Sequence, residues 1–113
     1  MPTPAEERFQ AVAENWFATM NGYYSDMAAT KTVDDAKAVE VNYRAAEIAY
    51  LAALEKGLKG DGDEVDAALD ALKKANAAVK KSREKGEAIG KLLAKATAAT
   101  EKATDLVAKA GGG

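Results

Sequence analysis

Lys80-Lys81-Ser82-Arg83-Glu84-Lys85-Gly86-Glu87 decides the architecture of this chain. None of these eight residues carries a core-quality side chain, so a straight helix through them would leave about two turns with no face to bury. Upstream, Val65, Ala68, Leu69, Leu72, Ala75, Asn76 and Val79 form an apolar stripe at helical spacing. Downstream, Ile89, Leu92, Leu93, Ala96, Thr100, Ala103, Leu106, Val107 and Ala110 form another. At about 100° per residue, the stripe changes direction between Val79 and Ile89 by more than the roughly 20° per heptad of ordinary drift. A fused helix of about 50 residues would also reach about 70 Å, with half of it unpartnered within the chain. The stretch therefore reads as a turn near residues 82–86, separating a third helix (about 62–82) from a fourth (about 86–110).

The N-terminal half divides as clearly. Thr3 before Pro4, with Glu6 and Glu7 following, is a helix start: the hydroxyl caps a free N–H, proline suits the first position, and acids favour the positive end of the dipole. Phe9, Ala13, Trp16, Met20, Tyr23 and Met27 then recur at steps of three or four, widened by Val12, Phe17 and Tyr24, and opposite Glu7, Glu14, Ala18 and Ser25. This predicts a first helix over about 4–29. Thr30-Lys31-Thr32 breaks it, and Thr32 with Asp35 three residues on opens a second helix over about 33–57. Its stripe is Ala36, Val39, Tyr43, Ala46, Tyr50, Ala53 and Leu54. Three glycines within Gly57–Gly62 end it, and Asp61 with Glu64 reads as the next cap. Short connections favour antiparallel neighbours. The fold expected is all-α, a single-domain, monomeric, antiparallel up-down-up-down four-helix bundle.

Composition agrees and narrows the chemistry. The 113 residues are 48% hydrophobic and 30% charged, ordinary for one folded domain with a modest core. Twenty-seven alanines, many Lys, Glu and Leu, and no β-branched runs favour helix throughout. The formal charge is −2 with both signs interleaved, and with no basic stripe, nucleic acid is not an expected partner. Histidine and cysteine are both absent, which removes the commonest general base, the commonest zinc and haem ligand and the thiol nucleophile. No cofactor, metal site or enzymatic activity is expected. No apolar run approaches the ~20 residues of a membrane span, and the acidic start is unlike a signal peptide. A cytoplasmic or recombinant soluble protein is the plain expectation.

Three local patterns read as structural. Asp61-Gly62-Asp63-Glu64 resembles a calcium loop only in part, because Ala67 and Ala68 fall within the twelve-residue window and Leu72 closes it where a bidentate Glu belongs. Gly86 and Gly90 have GxxxG spacing, but Lys85, Glu87 and Lys91 surround them. Glu40 and Arg44 make an ordinary i,i+4 surface pair, while Glu47 flanks the Tyr43 and Tyr50 face, placed to meet a cationic group or to reach water.

The aromatic residues raise a further expectation. All seven lie on the first two helices, whereas the third and fourth offer Ala68, Ala75, Ala96, Thr100 and Ala103 on their inner faces. Large rings against small residues are either tight packing or a slot for a flat ligand. Asn76 and Thr100, polar residues at stripe positions, either specify register or address that ligand, since an unpaired buried amide costs a few kcal/mol. The candidate ligand-binding set is Trp16, Met20, Tyr23, Tyr43, Glu47, Tyr50, Asn76, Leu93 and Thr100.

Taken together, the stripes, the Ala–Lys–Glu surfaces, the Thr3-Pro4-Ala5-Glu6-Glu7 start, the glycine–aspartate loop and the Ala110-Gly111-Gly112-Gly113 end resemble a computationally designed helical bundle. Such bundles include blank scaffolds and bundles built around a drug-like molecule. The mixed interior implies the second, and a drug-like small molecule as partner. Lys31-Thr32-Val33-Asp34-Asp35-Ala36, with Tyr43 one heptad beyond Ala36, is similar to a stretch common in phasins, helical proteins that coat polyester granules. Val41 and Ile48 on the charged back of the second helix fit that resemblance, which implies a structural, surface-coating alternative.

Overall fold

The computed structural model describes residues 1–111; Gly112 and Gly113, part of the glycine-rich end, lie outside the described residues. Four helices follow in order: α1 (Pro4–Ala29), α2 (Val33–Lys56), α3 (Asp63–Glu84) and α4 (Ile89–Ala110). The expected all-α four-helix architecture holds. The greatest extent of the molecule is 42 Å, about one long helix and well short of the ~70 Å of a fused α3–α4.

Each helix begins and ends for a local reason. The Thr3 hydroxyl accepts from Glu6 N at 3.1 Å and the Glu6 carboxylate accepts from Thr3 N, completing a capping box ahead of Pro4. Thr32 accepts from Asp35 N at 3.1 Å to start α2. Asp61 does not cap α3 as its sequence position suggests. Gly62 occupies the N-cap with no side-chain hydrogen bond, and three acids in the first turn, Asp63, Glu64 and Asp66, meet the dipole instead.

The third turn lies later than the expected 82–86, and its chemistry explains why. Gly86 takes φ 64°, while Gly86 N donates to Arg83 O and Glu87 N to Ser82 O, both at 3.1 Å. That is a Schellman ending, which places the left-handed glycine just beyond the cap and lets α3 run on through Glu84. The chain then re-enters helix at Ile89.

Hydrogen-bonded and ring contacts give the directions. Phe9 meets Tyr50 and Tyr23 meets Tyr43, so α1 and α2 run antiparallel. Asn76 meets Ala11 and Arg83 meets Asp26, so α1 and α3 run the same way. Around the bundle the order is α1, α2, α4, α3: α1 touches all three others, α2 packs on α4, and α2 and α3 do not meet. The 57–62 connection therefore crosses the end of the bundle, where Leu58 is fully buried and Gly60 N donates to Ala110 O at 2.8 Å.

Two apolar cores result. The larger, around Val12, Leu58, Leu72 and Leu106, fills the end near the crossing loop. The smaller, Val79, Leu92, Ala96 and Ala99, lies toward the α3–α4 turn. Neither contains a ring from the aromatic set, except that Phe9 packs against the larger one from its edge. Leu54, placed by its spacing on the inner face of α2, is exposed instead.

Candidate functional site

The two faces of α1 do different work. Its aromatic positions turn toward α2, where Trp16 lies between Tyr43, edge-on at 5.0 Å, and Tyr50, stacked at 6.2 Å. Phe9 and Phe17 reach Tyr50, each at 5.6 Å. The rings thus satisfy one another in a ladder along the α1–α2 seam, through the offset and tilted geometries aromatic pairs prefer.

Beside Ala11 and Val12, which enter the larger apolar core, α1 turns a polar edge inward. Arg8, Asn15, Thr19 and Asp26 are all buried, at spacings of seven, four and seven residues. Arg8 Nη1 donates to Leu58 O at 2.9 Å. Asn15 Nδ2 donates to Thr100 Oγ1 at 3.2 Å. Asp26 accepts both guanidinium N–H groups of Arg83, at 2.6 and 2.7 Å. The same seam receives Asn76, whose Nδ2 donates to Ala11 O at 3.0 Å. The sequence reading does not find this polar seam, because its members are scattered among apolar neighbours. The spacing is the signal: residues 8, 15 and 22 follow at heptad steps and 26 lies one turn further on the same line, so Gly22 belongs to it. A Cβ at Gly22 would come within 2.5 Å of the Arg83 guanidinium, so the glycine makes room for the arginine to lie across α1.

Between α1 and α3 this seam opens into a cleft of about 240 Å³, lined by Glu14, Asn15, Ala18, Thr19, Asn76, Val79, Lys80, Arg83, Glu84 and Ala96. It is more enclosed than the depressions on either side of α2. Two of its polar atoms are buried without a hydrogen-bond partner, Asn15 Oδ1 and Arg83 Nε. An unpaired buried acceptor costs about 1–3 kcal/mol. The pair offers one acceptor and one donor beside apolar walls.

The nine residues singled out in the sequence do not surround one internal cavity. Met20, Tyr23, Tyr43 and Glu47 come together, with Tyr24, Glu40 and Arg44, in an open groove of about 630 Å³ outside α1 and α2. There the Tyr23 hydroxyl donates to Glu40, and that bond raises the Tyr23 pKa above the usual tyrosine value. Trp16 and Tyr50 belong to the ladder beside it. Asn76 lines the α1–α3 cleft instead. Thr100 joins that cleft indirectly through Asn15 and also lines a groove between α2 and α4, with Asn42. Leu93 is buried on α4 and lines neither. The physical reason is helix rotation: the α1 rings pair with Tyr43 and Tyr50 on the α2 side, and Asn76 meets the polar edge of α1 instead.

At the far turn, Lys95 donates to Glu87 at 2.5 Å and lowers the Glu87 pKa to about 2. Among the described residues, no group of three or more potential metal ligands is gathered, and no helix is long and apolar enough to cross a membrane. No protein-family model, curated protein or solved structure matches the chain.

Proposed function

We propose that this bundle is a non-catalytic binding protein that holds one compact, largely apolar molecule in the α1–α3 cleft. A single observation carries the reading: Asn15, only 4% exposed, keeps Oδ1 without a partner in the lining of a half-open cleft. A buried amide acceptor left open in this way is what a ligand's N–H or O–H would satisfy. Arg83 Nε, equally unpartnered and in the same lining, adds a donor for a ligand carbonyl or hydroxyl. The volume, about 240 Å³, is below the ~300–1,000 Å³ of drug-sized sites, so the fitting class is a small amide, alcohol or hydroxy acid. No ring lines the cleft, so flatness is not demanded. The ionisable groups there favour binding over turnover. Arg83 is engaged by Asp26, and Glu14, Lys80 and Glu84 lie at the exposed rim, with no nucleophile hydrogen-bonded to a base.

The test is an NMR fragment screen on the uniformly labelled protein, using small amides and alcohols. Fragments should move the Asn15 and Asn76 side-chain amides and the Thr19 backbone. Asn15→Leu should weaken them at least tenfold, by removing one hydrogen bond and filling part of the cleft. Fragments that shift only α2 resonances, or that bind Asn15→Leu unchanged, would sink the reading. The alternative of a coat protein or blank scaffold draws on the outer face of α1 and α2 and predicts no response at Asn15.

A further inference from the structure

Among the described residues, every exposed large apolar side chain except Met1 lies on α1 or α2. The α1 members are Phe17, Met20 and Tyr24, the last 84% exposed; α2 contributes five more, including Val41, Ile48 and Leu51. Open grooves lie along the seam, with Phe9 and Leu54 at one end, Met20 and Tyr24 in the middle, and Met27, Val33 and Val41 at the other. At their fractional exposures, and with about 150–250 Å² for a whole large side chain, roughly 800 Å² of apolar residue surface faces outward. That is of the order of the ~800 Å² per partner that a stable protein–protein contact buries.

Charges within this face distinguish between occupants. Lys37, Glu40, Arg44, Glu47 and Glu55 follow one another along the outer side of α2. Against a featureless hydrocarbon surface Lys37, Arg44, Glu47 and Glu55 would be desolvated with no opposite charge to meet, which is costly. Against a parallel copy in register, each would meet its own sign. An antiparallel copy turned about a two-fold axis between Ala45 and Ala46 reverses this. Arg44 then meets Glu47 of the partner copy, twice by symmetry, and Lys37 comes to within one position of Glu55 of the partner copy. Glu40 is already held by the Tyr23 hydroxyl. The same axis lays α1 over α1, and Phe17 and Met20 flank it there, since Phe17 packs on Tyr50 and Met20 shares a groove with Tyr43.

We propose that a second copy of this chain docks antiparallel on the outer face of α1 and α2, making a two-fold dimer specified by reciprocal Arg44–Glu47 pairs. This replaces the monomer expected from the sequence, and it stands independently of the α1–α3 cleft, which lies on another side of α1.

Sedimentation equilibrium on the full chain, from about 10 μM to about 0.5 mM, is the test. The wild type should be dimeric at the upper end. Ile48→Asp and Arg44→Glu should each weaken the dimer by about tenfold or more, with helicity and melting checked by circular dichroism. The charge swap Arg44→Glu/Glu47→Arg should restore it, which no merely apolar association would do. A wild type monomeric throughout overturns the proposal, as does a dimer indifferent to Ile48→Asp. A dimer lost in Arg44→Glu but not regained by the swap overturns the antiparallel register. A monomer that adsorbs to hexadecane droplets through this face would make it a coat rather than a dimer contact. Fragment response at Asn15 should be unchanged in all these variants, so the cleft and the dimer fail separately.

Discussion

Replacing either member of the Asp26–Arg83 pair should cost far more than replacing both. The Asp26 carboxylate is 9% exposed and takes two guanidinium N–H groups, while the Arg83 side chain is 26% exposed. Arg83→Met strands a nine-tenths-buried carboxylate. Removing one partner of a buried pair typically costs about 3–5 kcal/mol, and the lower figure suits a pair with one edge near solvent. Asp26→Leu strands the arginine, which can turn toward water, so about 2 kcal/mol is expected. The double variant, with two apolar side chains of similar size in place of the pair, should be within about 1 kcal/mol of wild type. The coupling energy is therefore about 4 kcal/mol, a large share of the ~5–15 kcal/mol total stability of a domain. Urea unfolding followed at 222 nm on the four proteins measures it, and Arg83→Met should melt roughly 15 °C lower. Burial also predicts that the coupling survives about 1 M salt, which would erase an exposed pair. A coupling below about 0.5 kcal/mol, or a double variant as unstable as the worse single, would refute the assignment of this pair as the buried tie between α1 and α3.

Four further outcomes follow from the same geometry. Gly22→Ala should destabilise the wild type, because its Cβ would displace the Arg83 guanidinium; in the Arg83→Met background it should stabilise by about 1 kcal/mol, the helix-propensity gain of alanine over glycine, and unfolding curves in both backgrounds check the reversal of sign. Asn15→Leu should raise stability by about 1 kcal/mol, since the unpartnered Oδ1 costs more than the single 3.2 Å bond to Thr100 returns, while the same change weakens fragment binding; a clear loss of stability would mark the amide as structural. The folded Glu87 pKa of about 2 is below its ordinary value of 4.5, so its contribution is present above pH 4.5 and lost as pH falls toward 2, and Glu87→Gln should flatten melting temperature against pH across that window. Tyr23, raised by its bond to Glu40, should ionise above the usual tyrosine range in an ultraviolet titration, and Glu40→Gln should remove the delay.

The sequence by itself determined the number of helices, their bounds to within about three residues and two of the three expected side-chain caps. These depend on contacts within a few residues: the Thr3 and Thr32 hydroxyls reach N–H groups three positions on, and the Lys80–Glu87 gap has nothing to bury. Rotation of each helix about its axis was a different matter. Whether Trp16 faces Asn76 or Tyr43 changes nothing in α1 alone; it is settled when three neighbours compete for its surface. Tyr43 and Tyr50, one heptad apart, claim the rings, which leaves the Arg8–Asn15–Thr19–Asp26 edge to meet Asn76, Arg83 and Thr100. The cleft at Asn15, the apolar outer face and the hydrogen bonds across the polar seam follow from that rotation. Only the tertiary structure decided it, because burial of a polar edge becomes favourable only when the Asn76 and Arg83 donors of α3 and the Thr100 acceptor of α4 arrive together to satisfy it.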